Sequence, residues 1–123
     1  MEQKTKGQIE SLICEEIIAF EKEYMGRGPT ETKAYILKDM IFIRLKGVLS
    51  PAEEQLSKKI EGADLIKRTR LLLLETARAM LEKSIHEITG CEIISMHTDI
   101  STKTGERILV FTLNRNYEDL LLT

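Results

Sequence analysis

Apolar residues along this chain follow two periods in turn. From Lys6 to Met25, Ile9, Leu12, Ile13, Ile17, Phe20 and Tyr24 recur at intervals of three and four, the stripe of an amphipathic helix. Gly26-Arg27-Gly28-Pro29 ends it, because Gly26 accepts a left-handed cap and Pro29 cannot continue a helix. Thr32 to Leu37 and Met40 to Gly47 then read as a hairpin around Lys38-Asp39. Pairing Leu37 with Met40 sets Ala34, Ile36, Ile41, Ile43 and Leu45 on one face. The other face holds Tyr35, Leu37, Met40 and Phe42, with Lys33 and Arg44 further from the turn. A sheet covered on one side only alternates more cleanly, so a helix or another subunit is expected over the second face.

Ser50-Pro51-Ala52-Glu53 is a helix start: Ser50 caps, Pro51 takes the first helical position and Glu53 completes the capping box. That helix is expected to stop near Gly62, with Asp64 capping a longer one that runs to Thr89 and ends at Gly90. Leu65, Thr69, Leu72, Leu73, Thr76, Met80, Ile85 and Ile88 supply its stripe, and Leu71, Leu74 and Leu81 widen it. At 1.5 Å per residue it spans about 39 Å. A domain this size is only roughly 35 Å across, so an overhang, and hence a dimer or a partner, is expected. A second hairpin pairs Cys91–Ile100 with Glu106–Leu113 across a loop from Thr102 to Gly105. With Ser101 opposite Glu106, one face carries Ile94, Met96, Ile100, Leu109, Phe111 and Leu113. The opposite face carries Ser95, His97, Asp99, Glu106, Ile108 and Val110, a cleaner split than a one-residue slip gives. The tail over 114–123 is expected to fray, although Leu120, Leu121 and Leu122 favour docking.

The predicted order is α-β-β-α-α-β-β. It implies an α+β fold, one domain over 1–123, with a four-stranded antiparallel sheet built from two hairpins and packed with long helices. With 123 residues the chain can bury a real core.

A net charge of −2 gives no global attraction to nucleic acid or anionic membrane, and aromatic residues are too few for a base-stacking platform. The cations at Lys67, Arg68 and Arg70 are interspersed with acids, the pattern of a solvated helix face. No apolar run approaches the roughly 20 residues of a membrane span, so no transmembrane segment is expected. The first residues, Met-Glu-Gln-Lys-Thr-Lys, lack the apolar segment of a secretion signal. A soluble, cytoplasmic protein is therefore expected. Cys14 and Cys91 form no CxxC pair and read as reduced packing residues.

The densest polar chemistry lies in the second hairpin loop. Ser101, Thr102, Lys103, Thr104 and Arg107 flank Gly105, which can take the positive φ that closes such a loop. Backbone N–H groups there, with Lys103 and Arg107, could hold an anion, whereas solvated charges on a well-formed turn would look the same. His97 and Asp99 share a strand face, but two ligands do not make a zinc site, and Cys91 is about 20 Å away along the strand. A hydrogen-bonded or surface pair is the simpler reading. Arg27 and Arg44 are the remaining basic candidates. Arg44 could instead pair with Glu31 or snorkel off the sheet. His86 lies on a helix and His97 on a strand, and no nucleophile is assignable to either. No catalytic residue, metal or cofactor is expected.

Four segments together carry a family likeness. Lys33 to Ile41, Arg44 to Glu53, Ile88-Thr89-Gly90 and His97 to Ser101 resemble the bacterial MpsC-like, or YbcI-like, family in residues, order and spacing. The likeness runs from the first helix to about Leu113. It implies an accessory role beside the membrane subunits of a sodium-translocating, membrane-potential-generating system, and it brings no catalytic residue. A chain without a membrane span cannot itself form the ion path. The reading is a non-catalytic accessory subunit, a homodimer that acts by protein contact and is held at the inner face of the membrane through a partner. The alternative is a regulatory module that binds a small anion or nucleotide through the 101–107 loop.

Overall fold

Thr5 opens the first helix. Its hydroxyl accepts the Gln8 N–H and the Gln8 side chain accepts the Thr5 N–H, a reciprocal box that satisfies two otherwise orphaned donors. The computed structural model describes residues 4–121. Its elements are α1 (Lys6–Tyr24), β1 (Glu31–Leu37), β2 (Met40–Lys46), α2 (Pro51–Leu56), α3 (Ile60–Thr89), β3 (Ile93–Ser101) and β4 (Glu106–Leu113), with a short 3-10 turn at Glu118–Leu120. This is the α+β order expected. The four strands form one antiparallel sheet in the order β1-β2-β4-β3. Both hairpin registers hold, Leu37 opposite Met40 and Ser101 opposite Glu106.

The core lies between one face of the sheet and the helices. Ile36, Ile41, Ile43, Leu45, Leu109 and Phe111 from the strands meet Ile13 and Ile17 of α1 and Leu74, Leu81 and Ile85 of α3 in a single cluster. The helix α1 packs on β1 and α3 on β3, and the two helices pack on each other. At the outer edge of β1, the Glu10 carboxylate accepts the Ile36 N–H at 2.9 Å and so occupies a donor that another strand could pair with. The tail docks as far as it is described. Tyr117 is buried, and Glu118 accepts from the Lys38 N–H and from Lys6 Nζ. Leu122 lies outside the described residues.

The helical layer departs from expectation in three ways. The break between α2 and α3 falls at 57–59, and Lys59, without a side-chain bond, stands at the start of α3. Asp64 is therefore interior to a helix of 30 residues. Gly62 does not end a helix: a Cβ there would lie 1.9 Å from the Leu56 carbonyl oxygen, so the end of α2 rests on the bare backbone of α3. The inward stripe of α3 is Ile66, Arg70, Leu74, Ala77, Leu81, Ile85 and Thr89. Leu65, Leu72, Leu73 and Met80 face outward, with Leu72 62% exposed.

Two strand features also differ. The strand β3 begins at Ile93 and not at Cys91, and an irregularity between Ile93 and Ser95 interrupts its ladder and turns Ile94 outward. Cys91 itself is a buried packing residue. No described helix lies over the second face of the first hairpin, where Tyr35 and Leu37 are exposed.

Candidate functional site

The second hairpin loop closes as its residues dictate. The Ser101 carbonyl accepts the Gly105 N–H at 2.8 Å, the Ser101 hydroxyl accepts the Thr104 N–H, and the Thr104 hydroxyl accepts the Glu106 N–H. Gly105 has φ +75°, which a β-carbon would penalise. The Gly105 carbonyl accepts the Val48 N–H, tying the loop to the segment before α2. Thr102, Lys103 and Thr104 then face a hollow of about 390 Å³ that Lys58 and Glu54 share.

Arg107 is not part of that surface. It shares the buried face of β4 with Leu109, Phe111 and Leu113, toward the helices, and is 2% exposed. Among the described residues it is the largest fully buried side chain. It meets Glu21 of α1, itself 1% exposed, at 3.5 Å. Nearby, Arg70 grips Glu53 with two hydrogen bonds of 2.9 and 2.7 Å and donates a third to the Val48 carbonyl. Glu53 also completes the α2 capping box through the Ser50 N–H. One carboxylate thus starts a helix and pins a second helix to it.

The two acids are shifted in opposite directions. Burial raises Glu21 above the usual carboxylate range, and the positive charges of Arg107 and Arg70 offset this only in part. Burial also pushes Glu53 up, but the Arg70 and Ser50 hydrogen bonds outweigh it and hold Glu53 below that range. Burial lowers Arg107, against the pull of Glu21.

The other candidates separate. His97 Nε2 lies 3.1 Å from the Ser95 hydroxyl, which also contacts Thr112. Asp99 pairs with Lys67 of α3 at 3.4 Å and accepts the Ile100 N–H, so no His97–Asp99 bond forms. Arg44 pairs with Glu106 on the neighbouring β4, and it is Lys46 that takes Glu31. Arg27 donates to the Leu49 carbonyl at 3.2 Å, a structural bond across the segment before α2. Among the described residues no group of three or more His, Cys, Asp or Glu could hold a metal ion. Sequence reasoning missed Glu21 and Arg70 as buried charges. Arg107 was available from its own register, since it shares the parity of Leu109.

The outer sheet face presents Tyr35, Leu37 and Phe42 beside Ile108 and Val110, with Lys33 and the Arg44–Glu106 pair toward one end. The geometry is that of a two-layer α+β protein with helices on one face of an antiparallel sheet and the other face open. The family model described as "Na+-translocating membrane potential-generating system (MpsC)" matches residues 5–115, and the chain belongs to this family. A Bacillus subtilis (strain 168) relative, the uncharacterized protein YbcI, is 46% identical over 115 residues, which cover 94% of this chain and 93% of the relative. A second protein of the same strain, the uncharacterized protein YrhF, is 22% identical over 99 residues, 80% of this chain and 81% of its own length. No solved structure matches the chain.

Proposed function

We propose that this chain is a non-catalytic accessory subunit of a Na+-translocating, membrane-potential-generating system and acts by protein contact through the open face of its sheet. The family description supports the system. The observation that carries the mode of action is the outer face, where Tyr35 is 54% exposed beside Leu37 and Phe42. Aromatic and aliphatic groups gathered on one face with charges alongside are what a protein interface uses. Among the described residues no helix is long and apolar enough to cross a membrane, so other subunits carry the ion path. A second copy related by a two-fold axis would cover the same face, and the free form of the chain is then a homodimer. The partner holds it at the inner side of the membrane.

The test is co-purification from the native host with a double variant, Tyr35→Glu and Phe42→Glu. The wild type should bring down membrane subunits, and the variant, folded by circular dichroism, should not. Retention of those subunits by the variant sinks the reading.

A second reading rests on the 101–107 loop. Lys103 and Lys58 share one hollow there and suit a small anion or nucleotide. Lys103→Ala should leave melting nearly unchanged, because an exposed charge contributes little. It should weaken ligand binding most at low salt. Binding that is indifferent to Lys103→Ala would leave the loop as a turn.

A further inference from the structure

A cavity of about 300 Å³ opens between α3 and the β3–β4 end of the sheet, with Arg107 and Thr98 in its lining. Both carry buried polar atoms without a hydrogen-bond partner among the described residues: the Thr98 hydroxyl, Nε of Arg107, and Nη1 of Arg107, which stands only in ion-pair range of Glu21 at 3.5 Å. Folded proteins pair the great majority of such atoms, and a buried guanidinium with idle donors is costly. Arg70, equally buried, makes three hydrogen bonds through Nε and Nη2 to Glu53 and the Val48 carbonyl and leaves Nη1 without a partner among the described residues, whereas Arg107 leaves both Nε and Nη1 so. Arg107 is held in place by the sheet and lines the cavity.

Lys67 and Arg68 add two more cations to the lining. Asp99, also in the lining, pairs with Lys67, and Glu21 stands against Arg107. Three cations against two carboxylates leave one positive charge, which a monoanion balances. Leu71 and Ile100 supply apolar wall.

We infer that this cavity binds a small carboxylic acid with a short aliphatic body. The carboxylate lies on the Arg107 guanidinium with the Thr98 hydroxyl donating to it, and the chain lies on Leu71 and Ile100. Lys67 and Arg68 attract the anion. The site is separate from the hollow beside Lys103 and from the outer sheet face, so it stands or falls independently of the docking role.

The test follows the Arg107 Nε–H signal of the full ¹⁵N-labelled chain by NMR during titration with butyrate, acetate or inorganic phosphate at constant ionic strength. Butyrate should move the signal saturably, with half-saturation below that of acetate and phosphate. Arg107 is left intact, since removing it strands Glu21. Thr98→Val, which keeps the shape and removes an orphaned hydroxyl, should weaken butyrate about fivefold without lowering the melting temperature of the free protein. Lys67→Ala combined with Arg68→Ala should weaken it by a similar factor. A signal that butyrate does not move means that the cavity holds water alone and overturns the inference. So does an equal response to all three anions, or a half-saturation unchanged by Thr98→Val.

Discussion

Arg107 and Arg70 show how one residue type takes opposite roles from its neighbours. Arg70 makes two hydrogen bonds to Glu53 and one to the Val48 carbonyl, whereas Arg107 meets Glu21 at 3.5 Å, the edge of ion-pair distance. The two acids should therefore differ in pH response. Glu53 titrates below its unfolded value, so its contribution to stability is present above the usual carboxylate range and is lost as pH falls through its lowered pKa. Denaturant melts of wild type and Glu53→Gln should diverge most near neutral pH and converge in acid. Glu21 titrates above its unfolded value, so wild type is favoured below that range and loses ground as pH rises through the raised pKa. Glu21→Gln should match wild type in acid and gain on it toward neutral pH. The same pH slope for both variants would show that the two carboxyls are not in opposed environments.

Helix boundaries in this fold depend on single positions. The Ser50 hydroxyl accepts the Glu53 N–H at 3.2 Å, so Ser50→Ala should lower unfolding free energy by about 1 kcal/mol, and Ser50→Gly by less. Equal stability of wild type and the alanine variant would place the helix start elsewhere. Gly62 reverses the usual propensity rule. Alanine in a helix interior normally gains about 1 kcal/mol over glycine. Here its methyl would strike the Leu56 carbonyl, so Gly62→Ala should destabilise and push α2 away from α3. Thermal melts decide the sign, and a stabilised Gly62→Ala would show that the contact is loose.

At the scale of the molecule, two apolar surfaces remain open, the outer sheet face and the outward stripe of α3 with Leu65, Leu72 and Met80. A helix of 30 residues is about 45 Å long, longer than a domain of this size is wide. Dimerisation through the sheet predicts that light scattering gives a dimer at micromolar concentration and that Phe42→Glu yields monomers. Leu72→Glu on α3 should leave the dimer intact. The reverse result would move the contact to the helix, and a monomeric wild type would remove it altogether.

The sequence by itself determined the elements that local chemistry dictates. The turn at Lys38-Asp39 set the first hairpin register, and alternation set the second, because a one-residue slip there would mix its apolar and polar faces. The Ser50–Glu53 box and the left-handed glycines at 26, 90 and 105 were legible for the same reason, since each acts within a few residues. Tertiary structure decided which side of α3 faces inward. Four consecutive leucines at 71–74 cover more than one face, and hydropathy argues against any register that buries Arg70. That register wins because Glu53, seventeen positions away in sequence, neutralises the guanidinium. The site divides along the same line. The loop bonds around Gly105 are local, but the separation of Arg107 from Lys103 follows from the pleat of β4, and the cavity that Arg107 shares with Lys67 and Arg68 exists only because α3 crosses the sheet above it.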